Sequence, residues 1–305
     1  MSKSNRNEPK RSKVSESTYT IREFDLEFPD DAACLEYLVR RFYPKGIYCP
    51  TCKATTKHHR EAGRPSYACQ NCGHHEHPMK GTIFEDSATS LKLWFYAIYL
   101  MSATRCGISA KQLERELGVT YKTAWRMFHM IRKLLADDGS PLSGKVEMDE
   151  TYVGGRRRGT KRGRPGPESH KTAVFGMVER KGRVIAVTVP NVKKVTLMPH
   201  VEARVLPAST VFTDELKSCD TLAKKGYNHK RVNHSEQVYV AGDAHVNTME
   251  GFWSLVKRGI GGVYHSVSKK HLQSYLDEYS FRYNNRSGDM FNAFVDRIEK
   301  RAAAA

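Results

Sequence analysis

The spacing of apolar side chains changes near residue 145 from a helical rhythm to a strand-like alternation, dividing the chain into a helical front and a strand-rich back. In DDAACLEYLVRRFYP, Cys34, Leu35, Leu38 and Phe42 share one helical face. The acidic start and Pro44 bound that helix, which lies within residues 19–45 and puts Cys34 in the core. The segment TSLKLWFYAIYLMSA is a strongly apolar helix. After Gly107, the run ISAKQLERELGVTYKTAWRMFHMIRKLL has the cadence of a helix-turn-helix, so residues 86–138 read as a helical DNA-binding region. Ser109 caps a first helix through Leu117, Gly118 supplies the turn, and Thr120 caps a second helix that exposes Tyr121, Lys122, Thr123 and Arg126.

From Lys145 the pattern KVEMDETYVGG places Glu147 and Asp149 on one face of a strand, with Val146, Met148 and Glu150 on the other. TAVFGMVERKGRVIAVTVP gives two strands turning at Lys181–Gly182. A helix over 195–205, a strand STVFTDEL running into Asp214, a helix from 214 to 226, a short strand near 229–233 and two final helices complete the order. Such an order predicts an α/β domain over 139–290, a mixed sheet flanked by helices, with 291–305 as a tail. The segment GSPLSGKV copies part of a phosphate-binding loop but leads into a strand, not a helix, and reads as a linker. No G-x-S-x-G elbow supports serine hydrolysis.

Charge then narrows the partner. Fifty Lys+Arg against 33 Asp+Glu leave a formal +17, which points to a polyanion, most often nucleic acid. No run of 18 apolar residues and no signal-peptide core occur, so no membrane partner is expected and the compartment is cytoplasmic and reducing. Residues 1–18 read as a disordered basic arm. In a reducing compartment the seven cysteines are thiols or metal ligands, not disulfides. Cys49/Cys52 and Cys69/Cys72 form two C-x-x-C knuckles 16 residues apart. That spacing predicts a zinc ribbon over 46–85 with one structural Zn²⁺, although His74, His75 or His77 is available to replace a thiolate. Cys106 and Cys219, without partners nearby in sequence, are expected to be buried.

Two aspartates, Asp149 on the first strand and Asp214 at the end of the fourth, are joined after 35 intervening residues by Glu250 on a helix. Three such carboxylates suit two Mg²⁺ for in-line phosphoryl transfer. Lys257, seven residues after Glu250, lies about two turns on and shares its face.

The combination of DETYVGG, TDE, NTMEGFWSLVKRG and FRYNNR resembles the RNase H-like catalytic domain of DDE transposases, and in particular a group of prokaryotic insertion-sequence transposases that carry a zinc ribbon. The resemblance spans roughly residues 25–287. It implies metal-dependent cleavage at the ends of a mobile element and strand transfer, with DNA as partner: terminal inverted repeats and target DNA. Mn²⁺ is expected to substitute for Mg²⁺, paired ends imply a homodimer or higher oligomer, and the chain would act at the nucleoid of a prokaryotic cell. In some members of the group the third metal ligand is asparagine, so Asn247, three residues before Glu250, stays an alternative. Lys257 and Arg258 would meet DNA phosphates. Arg156, Arg157, Arg158, Lys161, Arg162 and Arg164 make a basic loop whose RGRP core resembles an AT-hook, although so short a match favours a plain phosphate-binding loop and leaves a solvated loop open. His245 and Glu215 read as local hydrogen-bonding or surface residues. A zinc-ribbon and helix-turn-helix regulator without catalysis, or a nuclease that cuts without joining, would share much of this sequence.

Overall fold

The computed structural model describes residues 19–154, 171–214, 222–231 and 246–298. They fall into two compact units. One comprises the described residues up to Ala103 together with those from Asn285 onward, and the other runs Thr104–Asn284. The helical stretch 86–138 is therefore divided, its first helix belonging to one unit and its last two to the other.

In the first unit, α1 (Ile21–Glu27) precedes the expected helix, α2 (Asp31–Phe42). Its start is a capping box: Thr20 Oγ1 accepts from the Glu23 backbone N–H at 3.3 Å while the Glu23 carboxylate accepts from the Thr20 N–H at 2.7 Å. Asp30 caps α2. Phe24, Phe28, Cys34 and Leu38 are buried, as are Trp94, Phe95 and Met101 of α3 (Leu91–Ala103). Phe28 and Phe95 ring centroids are 4.8 Å apart. Residues 291–298, expected in a tail, are packed instead. Asp289 caps α9 (Met290–Val295), and Phe291, Phe294 and Val295 turn inward, with Phe291 stacked on Tyr19 at 4.7 Å. Each buried phenylalanine contributes up to about 3 kcal/mol, enough to hold so short a helix. The ribbon pairs β1 (Tyr48–Cys49) with β2 (Ala54–Thr55), and β3 (His58–Arg60), β4 (Tyr67–Cys69) and β5 (His75–Glu76) form a second small antiparallel sheet.

The second unit opens with α4 (Ala110–Leu117) and α5 (Tyr121–Leu134). Ser109 and Thr120 cap them, and Gly118 takes the left-handed conformation (φ +63°) that the tight turn requires. Its sheet contains β6 (Lys145–Val153), β7 (Thr172–Glu179), β8 (Val184–Val189), β9 (Thr210–Thr213) and β10 (Asn228–Arg231), in spatial order β10-β9-β6-β7-β8. The first three form an antiparallel meander, and β9 and β10 add in parallel. This is the mixed sheet flanked by helices that the order of strands and helices predicts. One face, with Val146, Met148 and Phe175, packs on Leu197 and Val201 of α6 (Lys194–Arg204). The other, with Val174, Val178 and Ala186, packs on α7 (Asn247–Gly259) and α8 (Leu272–Asn284) through Met249, Trp253, Val256 and Leu276. Of the helix expected over 214–226, residues 215–221 lie outside the described residues, and the described remainder contains a single 3₁₀ turn, Ala223–Lys225.

A buried ion cluster ties α5 to α8. Glu278, fully buried, accepts from Arg132 Nε at 2.6 Å and from Arg282 Nη2 at 2.7 Å, and the Arg132 guanidinium lies 3.4 Å from the Tyr275 ring centroid. Two guanidinium groups hold the Glu278 carboxyl in its ionised form despite the desolvation that opposes it. Cys106, expected inside, is exposed. It sits in the α3–α4 turn, where its backbone carbonyl takes the Tyr279 hydroxyl. Cys219 lies outside the described residues. Among those residues no helix is long and apolar enough to cross a membrane.

Candidate active site

The four knuckle cysteines converge. Cys49 and Cys72 Sγ atoms are 3.5 Å apart, Cys52 and Cys69 Sγ 3.9 Å, and all four lie within 4.8 Å of one another. A tetrahedral Zn²⁺ with bonds of about 2.3 Å needs sulfur separations of about 3.8 Å, so the set fits zinc. The Cys69 thiol is pulled down to about 5, chiefly by the Thr56 hydroxyl and then by backbone N–H groups of Cys72 and Asn71. Cys52, hydrogen-bonded to Cys72, desolvated and crowded by the other sulfurs, is pushed up to about 12. A divalent cation at the centre would remove that opposition. The group holds no histidine, and His75 is engaged instead by Glu61, Nδ1 to Oε2 2.9 Å.

The second site lies where β6, β9 and α7 meet. Strand alternation turns Asp149 toward α7, and the parallel register pairing Met148 with Thr213 sets Asp214, the next residue, beside Asp149. Asp149 Oδ2 accepts from Trp253 Nε1 at 3.1 Å. Its carboxyl is raised to about 7, first by burial, then by the charge of Glu150, with Asp214 adding to it and the Trp253 bond opposing. An open cavity of about 440 Å³ is lined by Asp149, Glu150, Thr151, Glu250, Trp253, Ser254, Lys257 and Arg258. Lys257 and Arg258 are exposed there, and Arg258 Nε also donates to the Ser254 carbonyl at 3.3 Å. Asn247, the first residue of α7, is exposed and does not line the cavity. Among the described residues the thiols are the one tight cluster of metal-ligand atoms, so the three carboxylates are not closed up to that degree. The carboxylates of Asp149, Glu150 and Glu250 around one open cavity offer oxygen donors, a set that suits a hard divalent cation.

On α5, Tyr121, Lys122 and Arg126 are exposed. Thr123 is half-buried and belongs to the helix cap, its N–H donating to Thr120 Oγ1 at 3.3 Å. Trp125, which the helical reading passed over, is 39% exposed on the same stripe, with His129 stacked on it at 5.2 Å. Arg156, Arg157, Arg158, Lys161, Arg162 and Arg164 lie outside the described residues, as do Glu215 and His245.

Residues 29–75 match the transposase zinc-ribbon domain, and residues 141–284 the ISXO2-like transposase domain. An uncharacterized transposase-like protein of Haemophilus influenzae is 35% identical over 105 residues, 34% of this chain and 84% of that protein. The chain belongs to the ISXO2-like transposase family. A protein in transposable element ISH50 of Halobacterium salinarum is 29% identical over 273 residues, 84% of this transposase and 91% of that protein. Among solved structures, a pre-cleavage Mos1 transpososome aligns over 93% of this chain and 98% of that one at 14% identity and a TM-score of 0.27, a likeness too weak to bear on activity.

Two residues that pattern reading left without a role flank the transposase's acids. Glu147 is fully buried and caps α7 from the sheet, its Oε2 accepting from the Thr248 and Met249 N–H groups at 2.8 and 3.1 Å. Gly176, the cross-strand partner of Asp149, leaves the space that Met249 and Trp253 fill. The cue for Glu147 was a carboxylate on the Asp149 face of a strand whose neighbouring positions are apolar.

Proposed function

We propose that this transposase binds the terminal inverted repeats of an insertion sequence and catalyses DNA cleavage and strand transfer at the α7 cavity, acting as a homodimer or higher oligomer on paired ends at the nucleoid. Asp149, Asp214 and Glu250 would hold two Mg²⁺, with Mn²⁺ able to substitute, and the four cysteines one structural Zn²⁺. When bound, the magnesium ions supply Lewis-acid stabilisation of the attacking and leaving oxygens. The observation that carries the reading is one cavity lined by Asp149, Glu250, Lys257 and Arg258, with Asp214 in the register position beside Asp149.

The side chains divide the work. Asp149 is steadied by Trp253, whose indole N–H fixes one carboxylate oxygen. Lys257 and Arg258, a little under and a little over two helical turns beyond Glu250, meet phosphates as fixed charge and hold the cleaved strand against the acids. Tyr121, Lys122, Thr123 and Arg126 form the sequence-reading surface, and the basic residues from Arg156 to Arg164 add grip on phosphate. Thr123 acts there by ordering the first turn of α5. Glu250 is preferred to Asn247 as third ligand because it lines the cavity and brings charge.

Gel shifts on a duplex ending in the element's repeat, run beside Mg²⁺-dependent cleavage of that duplex, test the reading. Asp149→Asn, Asp214→Asn and Glu250→Gln should bind normally and lose cleavage by orders of magnitude, and Asn247→Ala should cost less. An active Glu250→Gln with a dead Asn247→Ala would move the third ligand to Asn247. Binding with no cleavage by the wild-type chain would leave a DNA-binding regulator.

A further inference from the structure

One ion pair touches all three elements that carry the acids. The N-cap position of α7 is Val246, which offers no capping side chain, and the helix instead ends on Glu147 of β6. Glu147 Oε2 takes the Thr248 and Met249 N–H groups, at the second and third helical positions where an N-cap side chain normally bonds. Its Oε1 takes the Thr248 hydroxyl at 2.9 Å and Arg180 Nε at 2.7 Å. The Arg180 guanidinium in turn lies 3.9 Å from the ring centroid of Phe212 on β9. Asp149 stands two residues after Glu147 on the same face of β6, Asp214 two residues after Phe212, and Glu250 one residue after Met249.

We propose that Glu147 and Arg180 are positioning residues that set the spacing of the three acids, an inference that rests on the metal-dependent reading of the cavity. A fully buried carboxylate with this set of donors has little freedom to shift, and its charge complements the positive end of the α7 dipole. Displacing it releases the first turn of α7, which carries Asn247 and Glu250, from the strand that carries Asp149. Arg180 extends the same restraint to β9. Neither residue touches the cavity, so their effect on a bound cation is transmitted only through position.

The test is Mn²⁺ affinity, read from the electron paramagnetic resonance of free ion titrated into the full-length, zinc-containing chain, together with hydrogen exchange at the Thr248 and Met249 amides. Glu147→Gln and Arg180→Met should each weaken Mn²⁺ binding at least tenfold and speed exchange at both amides. The double variant should be no worse than the weaker single one, because the pair acts as a unit. Arg180→Lys, which keeps charge near Glu147 but not the planar stack on Phe212, should recover part of the loss. Leu197→Ala, in the core on the opposite sheet face, serves as a control for lost stability and should leave Mn²⁺ affinity unchanged. Wild-type affinity in Glu147→Gln or in Arg180→Met, or a loss no greater than that of Leu197→Ala, overturns the proposal while the metal site stands. Absence of Mn²⁺ binding in the wild-type chain, or binding untouched by Asp149→Asn, removes the metal site and the clamp's role together.

Discussion

Replacing Gly176 by alanine should both destabilise the catalytic unit and disable its cavity. A methyl group on Gly176 would stand 2.4 Å from Met249 Cε, 2.5 Å from Trp253 Cζ2 and 2.8 Å from Trp253 Cη2. Carbon atoms settle at about 3.5–4.0 Å, so each neighbour must retreat by roughly 1 Å. The Met249 terminus can swing away. The Trp253 ring is held by its bond to Asp149 Oδ2 and by Phe252 at 5.4 Å, so either α7 lifts from the sheet or that bond breaks. Overpacking of this kind costs about 1–3 kcal/mol, which in a unit of this size lowers Tm by roughly 2–12 °C. A misplacement of about 1 Å near reacting groups costs on the order of 10²-fold in rate. Calorimetry and cleavage of a repeat-end duplex measure the two effects, with a gel shift to verify that DNA binding persists. Gly251→Ala, on the same helix with open space around it, should instead be neutral or stabilising by up to ~1 kcal/mol. A Gly176→Ala variant with wild-type Tm and cleavage rate would refute the close packing of α7 on β7.

Other parts of the chain give three further expected outcomes. Elemental analysis should find about one Zn²⁺ per chain, and chelation should strip exchange protection from β1–β5 while β6–β8 keep theirs; active protein without zinc would contradict this. The Asp277 carboxyl is raised from 3.8 to about 6, chiefly by burial, with the Gln273 amide opposing and Asp137 adding. A raised acid loses stability as pH climbs from its unfolded value through its folded one, so Asp277→Asn should stabilise above about pH 6 by at most ~3 kcal/mol and change almost nothing at about pH 3, below the unfolded value; an equal effect at both pH values would exclude a buried charge as the cause. Trp94 and Trp253 are buried whereas Trp125 is 39% exposed, so DNA on α5 should alter tryptophan emission in wild type by more than in Trp125→Phe, where only Trp253 at the cavity is left to respond. Emission unchanged by bound DNA in the wild-type chain would put the contact elsewhere.

Local signals were legible in the sequence wherever the physics is local. Ser109, Gly118 and Thr120 mark helix ends because caps and left-handed turns involve residues three or four apart, and the cysteine spacing declares its tetrahedron for the same reason. Alternation along β6 correctly turned Glu147 and Asp149 to one face. Local cues at α1 and α9 were present too, in the Thr20/Glu23 capping box and the Asp289 cap ahead of Phe291 and Phe294, yet low overall hydrophobicity around α1 and a position near the chain end hid them. The bond from Glu147 to Thr248 spans 101 residues, and no periodicity encodes it. Trp125 was passed over because an aromatic residue within an apolar helical rhythm reads as core. Cys106 was misread as buried because its role in the turn is played by its backbone, which sequence does not display.

The most direct test of the central claim is strand joining. A duplex carrying the element's terminal repeat with a pre-cut 3′-OH is incubated with the purified transposase, supercoiled target plasmid and Mg²⁺, and joined products are counted beside Asp149→Asn and Glu250→Gln. Insertion of the labelled end into the plasmid by wild type alone, abolished by chelation, is the predicted result. Tight binding of the repeat with no metal-dependent joining by the wild-type chain would contradict it.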